Sequence, residues 1–391
     1  RDRSVSRGLG DVYKRQPMKF VVSSNTMLTR LQAVSKVIGG KPVQPILDNI
    51  LLVATNGLLY ATASDKETTM EAKIELDSLE EEGQMTIPAK ILLDMLKEFP
   101  EQPLTFDINE STNEVRIISE KGEFSVRGES AEDYPRPGVP EGENTSFETK
   151  CGLMLDGIVK SIFATANDDL RPVMNCILIE MNEDNFTFVA SDAHKLVRYK
   201  RFDGKCETGQ HALILPKKPA LMLKNILPKD DAPLQIAFNE KMACFVFDNY
   251  KMTSTLVEGR FPNYNSVIPQ NNSKKVIIEK KELYNSLRRV SVMANQASNL
   301  VKFELEGDKI TVSAQDIDYS MSGHETLNCQ YEGEPIAIGF KSPFVLEILS
   351  NIESENVVLE LSDPTRPGLF LPFENEDQDE DLLMLLMPMM V

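Results

Sequence analysis

The chain has 391 residues, too long for one ordinary domain; at roughly 150 residues per domain it predicts two or three. With 41% apolar and 26% charged residues it can bury sizeable cores, which excludes wholesale disorder. Its 42 basic and 60 acidic residues give a formal charge of −18, which excludes a surface that is basic throughout but leaves room for a locally basic face.

Residues 1–17, RDRSVSRGLGDVYKRQP, carry five basic and two acidic residues, show no periodicity and lack the apolar stretch of a secretory signal. They read as a non-native or disordered tail, with a basic nucleic-acid arm as the alternative. From Met18 the text changes to Met-Lys-Phe-Val-Val, a strand. A helix striped by Leu28, Leu31 and Val34 follows, then a strand over 58–63 that ends in Ser64-Asp65. Ile87-Pro88-Ala89-Lys90 opens a helix over 91–99, and the Pro- and Gly-rich run 135–142 closes the segment.

The same order then recurs. Leu155, Ile158 and Ile162 stripe a helix; the strand 186–190 leads to Ser191-Asp192; Leu215-Pro216-Lys217-Lys218 opens a helix over 219–226; and 269–273 is a second linker. In the third copy Tyr284, Leu287 and Val290 stripe a helix, the strand 310–313 leads to Asp316, and Phe340-Lys341-Ser342-Pro343 opens a helix over 344–352. Asp65, Asp192 and Asp316 stand 127 and 124 residues apart, and Tyr134-Pro135 and Phe261-Pro262 stand 127 apart. The prediction is an α+β fold of three repeated domains, each with two helices on antiparallel sheet, bounded at 18–142, 143–271 and 272–391.

Acid is concentrated in 77–82, 129–133, 141–143 and 374–381, whereas basic residues recur at the paired helices. If equivalent helices face one way, these build a basic concave surface suited to a polyanion held by its phosphates without base reading. The bland alternative is that each cation merely solvates a helix face.

The chemistry of an enzyme is sparse. There is no P-loop, no G-x-S-x-G and no H-E-x-x-H, and Pro42 spoils Gly39-Gly40-Lys41 as a phosphate cradle. Asp192 and His194 could form an acid/base pair. However, Asp65 and Asp316 recur in the same place without histidine, so a structural turn is preferred. Cys151, Cys176, Cys206, Cys244 and Cys329 are odd in number and lack C-x-x-C, and His194, His211 and His324 form no cluster. No metal or cofactor is expected, and reduced thiols suggest a cytoplasmic protein. No run near 18 uninterrupted apolar residues exists, so no membrane-spanning helix is expected. At the end of the chain, 383–386 can complete a sheet, and Met387 to Val391 form either a flexible apolar contact surface or a buried terminal strand.

These residues resemble the bacterial DNA polymerase III beta subunit family, the sliding clamps, over 18–391. The matching text is Met18-Lys19-Phe20, Gly39-Gly40-Lys41-Pro42 with Pro45-Ile46-Leu47, Ser191-Asp192-Ala193-His194-Lys195-Leu196, Gly259-Arg260-Phe261-Pro262-Asn263-Tyr264 and Met387-Pro388-Met389. The resemblance implies a three-domain chain that pairs head to tail as a homodimer, closing a ring around double-stranded DNA without reading sequence. It implies no catalysis: the ring tethers the replicative DNA polymerase. It also implies a clamp loader and other partners bearing short clamp-binding motifs.

Carried over by position, the partner-peptide groove comprises Arg171, Met174, Ser191, Ala193, His194, Lys195, Leu196, Pro262, Val267, Leu385, Leu386, Met387, Pro388, Met389 and Met390. Met174, Leu196, Val267 and Leu386 are its expected apolar walls, Met387 its gate, and His194 and Arg171 its polar rim. The expected DNA-facing residues are Lys41, Arg30, Lys90, Lys160, Lys217, Lys218, Arg288 and Arg289, with the loop 167–171 nearby. The expected ring interface sets Phe124 and Val126 against Val292 and Met293 of the other subunit. Three departures stand out: Pro172-Val173 replaces two tyrosines, Met390-Val391 replaces an Arg-Leu ending, and the acidic run 374–381 is long. They predict a more apolar groove. The competing readings are a clamp-derived scaffold outside replication and an enzyme using Asp192 and His194.

Overall fold

The computed structural model describes residues 17–40, 42–136, 138–373 and 379–391. The predicted tail through residue 16, Lys41, Pro137 in the first linker and most of the acidic run 374–381 lie outside the described residues. The chain forms two compact units: one runs to Val139 and includes Cys244–Thr255, and the other takes Pro140–Ala243 and Leu256–Val391.

In the first unit β1 (Met18–Ser23) runs into α1 (Ser24–Ser35), with the Ser23 hydroxyl accepting the Thr26 N–H at the helix start. A meander of β2 (Asn49–Thr55), β3 (Leu58–Ser64) and β4 (Thr68–Glu75) follows, then β5 (Ser78–Glu81), β6 (Gly83–Pro88) and α2 (Ala89–Glu98). Three further strands, β7 (Pro103–Asn109), β8 (Glu114–Ile118) and β9 (Glu123–Arg127), complete it. One sheet has the order β5-β1-β7-β8-β9, so β9 is an open edge. In the other, β6-β2-β3-β4 is extended by the strand Tyr250–Thr255, which pairs with β4. Phe20 stacks on Phe106 in this unit's core at 5.0 Å. Burial pushes the Tyr134 hydroxyl up to about 12, and that hydroxyl donates to the Asn49 and Thr62 carbonyls.

The same order of elements repeats along the chain. β10 (Thr145–Lys150) and α3 (Cys151–Ser161) lead to a meander of β11 (Cys176–Met181), β12 (Phe186–Ser191) and β13 (Lys195–Arg201). Then come β14 (His211–Pro216), α4 (Lys217–Ile226), β15 (Pro233–Phe238), β16 (Met242–Phe247) and β17 (Tyr250–Thr255), the last being the strand already placed in the first unit. The third copy runs β18 (Lys274–Glu279), α5 (Lys280–Val290), β19 (Leu300–Glu306), β20 (Lys309–Asp316) and β21 (Met321–Asn328). It continues through β22 (Gln330–Tyr331), β23 (Ile336–Lys341), α6 (Ser342–Ser350), β24 (Asn356–Leu361), β25 (Gly368–Pro372) and β26 (Glu380–Leu386). The second unit holds a nine-stranded sheet, β14-β11-β12-β13-β26-β25-β24-β18-β22, and a four-stranded sheet, β21-β20-β19-β23.

The three recurrent aspartates make one kind of turn. Asp65 Oδ1 accepts the N–H groups of Glu67 and Thr68, Asp192 Oδ1 those of His194 and Lys195, and Asp316 Oδ1 those of Asp318 and Tyr319. In the first two copies the next residue takes a left-handed φ: Lys66 at 80° and Ala193 at 74°. Asp192 therefore commits its carboxylate to the turn's backbone N–H groups and to Lys195 rather than to the His194 ring, so the acid/base reading of that pair does not hold.

The helix stripes are shifted from the expected ones in two copies. Met27, Leu31 and Val34 face the core of α1 with Leu28 half-buried, and Leu283, Leu287 and Val290 face that of α5 with Tyr284 half-buried. The helices also begin two residues earlier than their opening strings suggested, at Ala89, Lys217 and Ser342. Pro219 and Pro343 are accommodated because the first N–H groups of a helix have no partner within it.

Helix α3 lies close on its sheet through Gly157. A Cβ there would fall 2.2 Å from the Phe188 ring, which is fully buried. Gly157→Ala gains about 1 kcal/mol in helix propensity. Displacing Phe188 costs about 1–3 kcal/mol, so urea unfolding should show net destabilisation with an unchanged dependence on denaturant.

Candidate partner-binding groove

A groove of about 590 Å³ opens in the second unit. Three stretches of chain build it. The turn Pro172–Asn175 supplies Pro172, Val173 and Met174, with Leu170 and Arg171 just before it. The β12–β13 connection supplies Ser191, Ala193, His194, Lys195 and Leu196. Gly259 to Tyr264 and Val267 line a third side, and Leu385 and Met387 complete it from the end of β26.

The floor is fixed by a buried cluster of Leu178, Val189, Leu196, Tyr264, Ile268, Leu369, Leu383 and Leu385, with Phe261 packed against it. Tyr264 donates its hydroxyl to Glu180 at 2.6 Å, and burial followed by that carboxylate raises its pKa. Gly259 takes φ 134°, and a Cβ on it would meet Val173 at 2.9 Å, so Val173 closes down directly on the Gly-Arg-Phe-Pro segment.

The polar rim is held by charge. Lys195 is only 5% exposed; its Nζ lies 3.1 Å from Asp192 and 2.8 Å from Glu347 of α6, and 4.3 Å from the centre of the Phe344 ring. The His194 ring stacks on Phe344 at 5.9 Å. Arg171 Nε donates to Asp168 at 2.8 Å, holding the loop on which Leu170 stands 93% exposed. The Met387 N–H donates to the His194 carbonyl at 2.9 Å.

The structure thus brings together eleven of the fifteen residues expected in a groove: Arg171, Met174, Ser191, Ala193, His194, Lys195, Leu196, Pro262, Val267, Leu385 and Met387. Leu386, Pro388, Met389 and Met390 do not line it. Strand side chains alternate between faces, so Leu385, not Leu386, points to the groove, and Leu386 is buried on the other side. Pro388 to Met390 have already passed beyond it. Sequence reasoning did not assign Leu170, Gly259, Arg260, Phe261, Asn263 and Tyr264 to this wall, and it treated Pro172-Val173 only as a departure that makes the groove more apolar. The available signal was the Gly-Arg-Phe-Pro-Asn-Tyr string, whose φ-demanding glycine marks a close approach.

The helix cations are largely engaged. Arg30 pairs with Asp248 at 3.3 Å and stands over Tyr250; Lys160 pairs with Glu353 at 2.7 Å; Lys217 donates to Asn167 at 3.0 Å. Arg289 forks onto Glu325 at 2.6 and 2.7 Å. Lys90, Lys218 and Arg288 are exposed. Phe124 and Val126 sit on the open edge strand β9, where Phe124 also packs edge-to-face on Phe99 at 5.3 Å. Val292 and Met293 follow α5; Val292 is 63% exposed, and Met293 reaches to 3.0 Å from where a Cβ on Gly323 of the edge strand β21 would lie. Among the described residues no cluster of His, Cys, Asp or Glu is placed to hold a metal, and no helix is long and apolar enough to cross a membrane.

A thrice-repeated α+β scaffold carrying an apolar groove with a charged rim defines a binding protein. Comparison with known proteins places it in a family. Family models of the DNA polymerase III beta subunit match along the chain: the N-terminal domain at residues 18–137, the central domain at 152–263 and the C-terminal domain at 265–390. The chain therefore belongs to the DNA polymerase III beta subunit family, the sliding clamps of DNA replication, which perform no catalysis. It is 28% identical over 370 residues to the beta sliding clamp of Vibrio cholerae, covering 94% of this chain and 99% of that one. It is 29% identical over 347 residues to that of Proteus mirabilis, covering 88% and 94%. Its fold matches a crystal structure of the Pseudomonas aeruginosa sliding clamp bound to griselimycin with a TM-score of 0.89 at 25% identity, covering 96% of this chain and 100% of that one.

Two outcomes follow from the charged groups. The Arg289 guanidinium holds the Glu325 carboxyl down to about 2 from an ordinary 4.5. The pair's contribution to stability is therefore complete above pH 4.5 and is lost as pH falls through about 2. In carbon-detected NMR the Glu325 carboxyl should titrate near 2 and move up toward the ordinary carboxylate range in Arg289→Gln, with the Ser286 hydroxyl still holding it down in part. Lys195→Met leaves Asp192 and Glu347 facing each other without their cation, and should lower the unfolding free energy by about 1–3 kcal/mol in chemical denaturation.

Proposed function

We propose that this protein works as a DNA sliding clamp whose groove captures short apolar peptide segments of the replicative polymerase, the clamp loader and other replication and repair proteins. The observation that carries the reading is the groove: an apolar floor, a charged rim and Met387 at its mouth, in a chain of clamp family. A P. aeruginosa sliding clamp of the same fold has been crystallised bound to griselimycin. Leu170 and Val173 enlarge the apolar wall here, so apolar side chains should dominate peptide recognition.

In this reading the boundaries 18–142, 143–271 and 272–391 mark the three clamp domains. Two chains pair head to tail, β9 of one alongside β21 of the other, with Phe124 and Val126 against Val292 and Met293. Both are edge strands whose unpaired backbone groups favour such an addition. The ring encloses duplex DNA, and Lys90, Lys218 and Arg288 meet its phosphates with Arg30, Lys160, Lys217 and Arg289. Engagement of several of these cations by carboxylates keeps the phosphate contacts weak, which suits sliding. The protein acts in the cytoplasm; its buried cysteines, none of them in a disulfide, accord with a reducing compartment.

The deciding experiment is fluorescence polarisation with a labelled peptide of the Gln-x-x-Leu-Phe type. Saturable binding that is lost on truncation after Leu386 supports the groove; truncation without effect contradicts it. Separately, Val292→Glu places a carboxylate in the proposed dimer contact. Sedimentation should then show monomers at concentrations where the parent chain is dimeric, and an undisturbed dimer would remove Val292 from the interface.

A further inference from the structure

We infer that Gly339 is a positioning residue for the groove: it seats the C-terminal tail and thereby sets the Met387 wall. The inference rests on the peptide-binding reading given above. The tail leaves β26 at Leu386, in the nine-stranded sheet, and crosses to the four-stranded sheet. It is held at two points. The Met387 N–H donates to the His194 carbonyl at 2.9 Å, and the Met389 N–H donates to the Gly339 carbonyl at 2.8 Å. The second contact is an antiparallel bridge on the open edge of β23. Pro388 between them has no N–H to offer.

The second anchor needs a residue without a side chain. A Cβ at position 339 would fall 2.6 Å from Val391 Cγ1, 2.8 Å from Leu300 Cδ1 and 2.8 Å from the Met389 carbonyl oxygen. One of these neighbours is tail backbone, which cannot move aside without opening the bridge. Gly339 does not take a left-handed φ, so its backbone conformation is open to any residue. Its use is space for a second backbone to approach. Met390 is 95% and Val391 59% exposed, so neither adds much packing and the Met389 bridge carries the hold.

Without this seat Met387 hangs from a single hydrogen bond, and an incoming peptide must order the wall that it binds. The loss should appear chiefly as faster release.

The test measures polarisation and dissociation rate of a labelled Gln-x-x-Leu-Phe peptide on full-length parent, Gly339→Ala, Gly339→Val and a chain truncated after Leu386. Sedimentation and melting temperature are followed in parallel. Gly339→Ala should weaken binding roughly fivefold, the scale of one lost main-chain hydrogen bond. Gly339→Val should approach the truncated chain. Adding Val391→Gly to Gly339→Ala removes the nearest obstacle and should recover part of the affinity, which general damage to the sheet would not. Parent-like binding by both Gly339 variants alongside weak binding by the truncated chain would leave the groove standing and overturn the role of Gly339. So would a loss that Val391→Gly does not relieve. No binding by the parent chain would remove the groove reading itself and this inference with it.

Discussion

The ladder between β13 and β26 is the constraint on which the functional part of this molecule depends. Seven residue pairs run from Lys195 opposite Leu386 to Arg201 opposite Glu380, joining stretches almost two hundred residues apart in the chain. Closing so long a loop is entropically costly, though the cost grows only slowly with length. It is offset by burial of every residue from Leu382 to Leu386 and reinforced by Arg198 on Asp381 and Tyr199 on Glu380. The ladder's register sends Leu385 to the groove floor and delivers the Met387 N–H to the His194 carbonyl. A slip of one residue would exchange Leu385 for Leu386 and dismantle the floor.

Function arises where the three copies differ rather than where they agree. The shared Asx turn after Asp65, Asp192 and Asp316 serves the meander in each copy. Only in the second does it carry a histidine and a buried lysine, and there Lys195 reaches α6 through Glu347. The turn that closes a hairpin elsewhere therefore becomes one wall of a site. Ala193 holds a left-handed φ at that wall, a conformation unfavourable for alanine that the two hydrogen bonds to Asp192 maintain.

Much of this was legible in the sequence because repetition multiplies weak signals. Strand, stripe and turn each read ambiguously once but recurred at one offset, and the α+β repeat followed. The exact stripe was less legible: Leu283 and Tyr284 are both plausible core residues, and only packing selects Leu283. The groove residues came from family resemblance, because no local rule joins residues near 172, 193, 262 and 386. The resemblance named Leu386 as an apolar wall, whereas Leu385 lines the groove, since which of the two faces inward depends on strand register. The ion pairs Arg30–Asp248, Lys160–Glu353 and Arg289–Glu325 were invisible, because each joins residues distant in sequence whose meeting only the fold determines.

The acidic body and engaged helix cations fit a protein whose hold on DNA is topological rather than adhesive. Such linkage makes escape depend on ring opening, and tethering then raises a partner's effective concentration at the primer end. The most direct measurement loads the protein with a clamp loader onto nicked circular DNA, raises the salt and cuts the circle. The account predicts that the protein stays with the circle at salt that screens phosphate contacts and leaves once the DNA has ends. Retention on the cut DNA, or release from the intact circle by salt alone, would contradict it.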